Sequence, residues 1–229
     1  MSSESGPNLI TNGLVLCLDA ANPLSYKSGA TVWNDLTYNI SGGTLTNGPT
    51  FSSTNGGSIV FDGIDDYIKI VSSILTFGTS DFTFNWWENP LPQTGPIRTF
   101  GNIPNRVWTT NDWVIGQSNT TTFQFYVNNY NVGTPMFQTT ITPSIWQNIT
   151  ITRLSNTWTL YINGVSPISS VTSTVSLDGN SQRDFYIGTS GILSEVWKGS
   201  ISSVQIYRQA LSSSEVLQNY NATKSRFGL

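Results

Sequence analysis

The groups best suited to acid–base chemistry in this sequence are four glutamates, Glu4, Glu88, Glu195 and Glu215. Cleaving a glycosidic bond takes two carboxyl groups held a set distance apart across the bond. Glu4 lies in a polar leader and Glu215 sits where it would cap a helix, which leaves Glu88 and Glu195. Nothing in their spacing brings these two together. The chain contains no histidine, so a Ser-His-acid triad and a histidine-ligated zinc site are both excluded. Its single cysteine, Cys17, lies in the apolar run 14–18. It reads as a small buried hydrophobe rather than a nucleophile. The segment 89–112 begins with Pro90, Pro92, Gly95 and Pro96, carries Arg98, Arg106 and Trp108, and is closed by Trp113; the turn at 128–131 adds Tyr130. Indole and phenol rings among amides suit a sugar, whose C–H faces pack on the ring while its hydroxyls take hydrogen bonds. Arg98, Arg106, Trp108, Trp113 and Tyr130 are therefore candidates for glycan binding or for an interface. The competing reading makes Trp108 and Trp113 ordinary core or interface aromatics.

These side chains must be carried by strands. Ser, Thr and Asn make up 81 of 229 residues and Lys, Arg, Asp and Glu only 23. Disorder is the alternative for so polar a chain, but the polar residues alternate with Val, Ile, Phe and Trp at strand spacing. Strands are expected at 13–19, 58–62, 67–71, 81–88, 113–115, 123–127, 146–153, 157–162, 184–187 and 200–207, with a short strand or turn at 31–36 that presents Trp33. The segments 58–62 and 67–71 read as a pair joined by 63–66, and 42–51 reads as a Gly-rich turn. Asn163–Gly164 reads as a type I′ hairpin turn, which needs positive φ at both residues. One helix is expected near 211–223, where Ser212 followed by Glu215 fits a capping box. This pattern predicts an all-β, two-sheet antiparallel jelly-roll sandwich with one short C-terminal helix. Residues 1–12 form an N-terminal arm and 13–229 the domain. The net charge of −3 and the lack of any basic run argue against nucleic acid. No apolar stretch is long enough to span a bilayer, and the first residues carry no secretory signal.

Several stretches resemble the concanavalin A-like lectin/glucanase superfamily in its laminin-G-like, pentraxin-like branch. They are 13–19 (GLVLCLD), 58–71 (SIVFDGIDDYIKIV), 81–87 (DFTFNWW), 146–153 (WQNITITR), 160–165 (LYINGV) and 204–211 (VQIYRQAL). The resemblance implies the jelly-roll fold. It implies calcium at the sandwich edge in some relatives, with Asp19 and Asp35 in the matching positions. The pair preceding the VQIY strand, often acidic in calcium-binding relatives, is Ser202–Ser203 here, so calcium is expected to be dispensable. Asp62, Asp65 and Asp66 are an alternative cluster, though a turn held by Asx hydrogen bonds is the preferred reading there. The E-x-D-x-E strand of the β-glucanase glycoside hydrolases is missing, so no enzyme is expected. The opening (NGLVLCLDAANPLSY) and the ending (ALSSSEVLQNYNATKSRFG) are similar to tailed-phage virion proteins. That similarity implies a capsid-decorating or fibre component located in the virion, partnered by other virion proteins or copies of itself. Carbohydrate binding to a host or environmental glycan is the alternative function.

Overall fold

The computed structural model describes residues 7–103, 110–127, 135–165, 167–177, 184–192 and 194–229. Period-two alternation puts one face of each strand inward, and two sheets close over those faces. The first sheet runs β14 (Ser169–Thr172), β13 (Thr157–Ile162), β12 (Gln147–Leu154), β7 (Phe82–Pro90), β16 (Lys198–Tyr207), β5 (Ser58–Asp62) and β4 (Thr50–Ser52). β1 (Leu14–Asp19) pairs with the second half of β16, while β5 pairs with its first half. The second sheet runs β11 (Phe137–Thr140), β10 (Thr122–Val127), β9 (Trp113–Asn119), β8 (Ile97–Gly101), β15 (Asp184–Ile187), β6 (Tyr67–Val71), β3 (Gly43–Thr46) and β2 (Val32–Trp33). Every pairing is antiparallel. The fold is the all-β, two-sheet jelly-roll-like sandwich that the pattern predicts.

The strongest alternation, in β7, shows how the core forms. Phe82, Phe84, Trp86 and Glu88 point between the sheets, where the Trp86 ring meets Phe100 of β8 at 5.0 Å. Thr83, Asn85 and Trp87 point the other way. Asn85 lies in a buried amide–hydroxyl network with Gln205, Asn148 and Thr150. Trp87 stacks on Phe227 at 4.1 Å and on Tyr220 at 5.6 Å. Those partners come from α1 (Ser213–Thr223) and the 3-10 turn Lys224–Phe227 that follows it. The helix is a cover over the outer face of the first sheet. Both halves of its capping box are present: the Glu215 N–H donates to Ser212 Oγ, and the Ser212 N–H donates to Glu215 Oε2 at 2.8 Å. Asn163 and Gly164 have φ of 55° and 64°, as the hairpin turn requires.

Three expectations differ. Strands 58–62 and 67–71 match β5 and β6 but lie in different sheets; the turn between them crosses the sandwich instead of closing a hairpin. Segment 42–51 is not merely a turn. It contains β3 and part of β4, which again belong to opposite sheets, with Asn47 and Gly48 at φ 66° and 107° between them. The arm drawn at 1–12 is docked over its last residues. Tyr207 Oη donates to Ile10 O, the Ile10 N–H donates to Asn219 Oδ1, and Gln218 Nε2 donates to Asn8 O. Ile10 also packs against the small apolar cluster of Tyr161, Tyr207, Leu211 and Val216. The ordered unit therefore starts before Gly13, against its own helix; residues 1–6 lie outside the described residues.

Candidate functional site

The aromatic and arginine candidates do not form one surface. Trp113 starts β9 with its ring inward, 2% exposed, stacked on Phe84 at 5.3 Å and edge-on to Phe125 at 6.1 Å. It is a core residue and cannot meet a ligand. Arg98 lies on β8, within the segment 89–112 where no strand is expected from the sequence. Its Nε is 3.1 Å from Glu195 Oε2, with the arginine side chain 13% exposed. Arg106, Trp108 and Tyr130 lie outside the described residues.

Asp19 and Asp35 are committed to the fold. Arg226 grips Asp19 with two hydrogen bonds, Nη1 to Oδ1 at 2.8 Å and Nη2 to Oδ2 at 2.9 Å. That fork neutralises the carboxylate a calcium ion would need. Asp35 is buried and accepts from the Cys17, Thr37 and Ile40 backbone N–H groups and from the Thr37 hydroxyl. Ser202 donates to Gly57 O at 2.7 Å. Burial, with Asp19 and Asp35 nearby, pushes the Cys17 thiol up to about 12, so it stays protonated and inert.

The two remaining glutamates do not make a catalytic pair. Glu195 is bound to Arg98. Glu88 is fully buried between the sheets and accepts from Trp86 Nε1 at 2.8 Å and Gln147 Nε2 at 3.2 Å. Burial raises its pKa from 4.5 to about 7 despite these donors. A raised carboxyl is the mark of a general acid, but no substrate reaches this one. Glu215 is used in the helix cap, and Glu4 lies outside the described residues.

What the structure does assemble is a cleft of about 510 Å³ at the rim of the sandwich. One wall is the turn after β5, with Asp62 and Ile64. The other is formed by Pro92, Gln93, Thr94, Thr120 and Lys198. Gly63 sits where the walls meet, at φ 79°. A Cβ there would come within 2.7 Å of Lys198 Cβ, so the close approach requires glycine. Gln93 is held rigidly: its Oε1 accepts from the Lys198 N–H and its Nε2 donates to Val196 O at 3.3 Å. Thr120 Oγ1 closes the corner on Gln93 O at 2.6 Å. Beside the cleft, the carboxylates of Asp62, Asp65 and Asp66 lie within 4.8 Å of one another, the cluster with metal-ligand spacing among the described residues. The preferred Asx turn is present as well. The Ile64 N–H donates to Asp62 Oδ1 at 2.7 Å and the Asp62 N–H to Asp66 Oδ2 at 2.9 Å. Burial and then the charges of Asp62 and Asp65 raise the Asp66 pKa. Three acidic groups this close, two of them exposed, could coordinate a divalent ion such as calcium. Sequence reasoning singled out the acidic turn but not the cleft, because the facing wall comes from two separate connections, β7–β8 and β9–β10, and the start of β16.

The comparisons agree with this architecture. Residues 62–217 match the laminin-G-like family described as concanavalin A-like lectin/glucanases superfamily. No curated protein sequence matches the chain. Domain 4 of AbnA, an extracellular GH43 arabinanase of Geobacillus stearothermophilus solved with arabinotriose, superposes at TM-score 0.68 and 18% identity. That alignment covers 90% of this chain and 98% of that domain. The binding domain of Paraclostridial mosquitocidal protein 1 superposes at 0.66 and 19% identity, over 92% of this chain and 52% of that one. Trypanosoma rangeli sialidase, in complex with 2,3-difluorosialic acid, superposes at 0.72 and 15% identity, over 96% of this chain and 35% of the enzyme. At these identities the likeness is one of fold.

Proposed function

Because the chain belongs to the concanavalin A-like lectin/glucanases superfamily, we propose that it is a non-enzymatic carbohydrate-binding module whose ligand sits in the rim cleft. The carrying observation is the cleft itself: a rigid wall of amide, hydroxyl and ammonium groups facing Ile64 and Asp62, with three carboxylates beside it. Sugar hydroxyls both donate and accept, so they match such a mixed wall, while Ile64 and Pro92 offer apolar surface to C–H faces. A divalent ion at Asp62, Asp65 and Asp66 would fix the turn and offer its open positions to vicinal hydroxyls. An exposed site of this kind is expected to hold calcium at a dissociation constant on the order of 10⁻⁴–10⁻³ M. The structural likeness to an arabinanase domain solved with arabinotriose and to a toxin binding domain supports a binding role.

The test is a glycan array with isothermal titration of the hits, in calcium and in chelator. Asp65→Asn removes an exposed charge that the core does not use. It is expected to weaken binding about tenfold or more and to leave the melting temperature of the calcium-free domain unchanged, while chelation lowers that of the calcium-loaded parent by no more than a few degrees. Equal binding by both proteins, with and without calcium, would remove the rim from consideration.

The resemblance of the chain's opening and ending to tailed-phage virion proteins supports a place for this module on a virion, as a decoration or fibre component. Particles that carry it would show it at fixed stoichiometry by mass spectrometry after extensive washing. Its loss on washing would count against that location.

A further inference from the structure

Four Asn–Gly pairs occur in the chain, at 12–13, 47–48, 55–56 and 163–164. Such a pair can rearrange without an enzyme, because glycine has no side chain to keep its backbone nitrogen away from the asparagine amide. The fold holds three of the pairs closed. Asn55 is engaged at both ends of its amide: Nδ2 donates to Arg226 O at 2.9 Å, and Oδ1 accepts from Trp146 Nε1 at 3.2 Å. Asn163 Oδ1 accepts from the Asn148 N–H at 2.9 Å. Its neighbour Gly164 is buried under Tyr220, whose Cβ lies 2.5 Å from where a Cβ would stand. Asn12 Nδ2 donates to Gln209 Oε1 at 2.9 Å, and the same glutamine covers Gly13, 2.8 Å from its Cβ position.

Asn47–Gly48 is different. Both residues are exposed on the turn between β3 and β4, with φ of 66° and 107°. Nothing lies within 4 Å of where a Gly48 Cβ would stand. Among the described residues no group accepts from the Gly48 N–H. Asn47 Nδ2 donates to Asp65 O at 3.0 Å across the surface, and an exposed bond of this kind opens readily. That bond ties the β3–β4 turn to the turn after β5, which supplies Asp62, Gly63 and Ile64 to the rim cleft.

We propose that Asn47 is a site of spontaneous deamidation, and that the reaction releases this tie. The Gly48 nitrogen gives its proton to hydroxide and attacks Asn47 Cγ. The new N–Cγ bond closes a five-membered imide as the Cγ–Nδ2 bond breaks, and Nδ2 takes up a proton and leaves as ammonia. Water then opens the imide. Cleavage of the new N–Cγ bond gives aspartate; cleavage of the original bond between the Asn47 carbonyl carbon and the Gly48 nitrogen gives isoaspartate. One water enters and one ammonia leaves, and nothing is oxidised or reduced. The carboxylate formed can only accept hydrogen bonds, so it cannot hold Asp65 O. It also adds negative charge beside Asp62, Asp65 and Asp66, which pushes the two turns apart. This inference does not rest on the rim reading, because the reaction needs no ligand.

The experiment ages the full chain at pH 8 in water enriched in heavy oxygen, then maps it by mass spectrometry after trypsin. Residues 28–69 are released as one peptide that carries both Asn47 and Asn55, so the control travels with the site. Heavy oxygen is expected at Asn47 roughly tenfold or more faster than at Asn55 and Asn163, which react only from their opened fraction. In concentrated urea the four pairs should react at similar rates, because the shielding is tertiary. Gly48→Ala should slow the reaction, but a side chain is strained at φ 107°. Asn47→Gln is the second variant: its longer side chain would have to close a six-membered imide, and no conversion is expected there. In amide NMR spectra, Asn47→Asp should move the Asp65 and Asp66 signals in the way that ageing does. The inference is overturned if Asn47 keeps its amide while another pair converts, or if all four pairs convert at one rate in the folded chain. Conversion of Asn47 that leaves the signals of 64–66 in place would overturn the release of the turn.

Discussion

Glu88→Gln is expected to stabilise the protein at pH 8 and to leave it nearly unchanged at pH 4.5. The folded carboxyl keeps its proton up to about pH 7, while its ordinary value is 4.5. Below 4.5 both states hold the proton and the group contributes nothing to the pH dependence. As pH rises from 4.5 to 7, the unfolded chain loses the proton while the folded chain retains it, so stability falls across that window and is flat above it. A shift of this size corresponds to about 3 kcal/mol. Glutamine carries no ionisation cost and still accepts from Trp86 Nε1, but its amide must be accommodated beside Gln147. The net gain at pH 8 is expected to be about 2 kcal/mol, a rise in melting temperature of roughly 4–8 °C for a domain of this size. The quantity to measure is the stability difference between variant and parent from pH 4 to 8, which removes contributions from other titrating groups such as Asp66. A difference that does not grow across the window would mean that Glu88 titrates normally and is more hydrated than its position indicates.

Trp113→Ala is expected to cost about 3–5 kcal/mol of stability and to leave saccharide affinity per folded molecule unaltered. The indole is 2% exposed and packed among Phe84, Phe125 and Phe185. Its removal opens a cavity spanning both sheets, which the surrounding aromatic rings can collapse into only partly. Urea denaturation gives the stability, and titration at low temperature gives the affinity. The opposite result, lost binding with unchanged stability, would restore Trp113 as a sugar platform and would require the β9 face to open.

What was legible in the sequence was decided locally. The Asn163–Gly164 turn follows from two residues that tolerate positive φ, and the helix start from Ser212 and Glu215 three positions apart. The helical stretch and most strands follow from side-chain period. The Asx turn at Asp62–Asp66 was readable for the same reason, since its bonds span two to four residues. The short polar strands β11 and β14 were missed, because four residues rich in Ser and Thr carry too little apolar alternation to register. β8 was missed because prolines precede it and a bulge between Arg98 and Phe100 breaks its period. Tertiary structure alone decided which sheet each strand joins, and so sent β5 and β6 to opposite layers. It also decided which face of β9 is inside. Alternation says that Trp113 and Ile115 share a side, but only the opposing sheet makes that side the core. The rim cleft belongs to this second class. It is formed by residues 62–64, 92–94, 120 and 198, brought together from distant parts of the chain, and it exists only once the sheets have packed and their edge has been left unfilled.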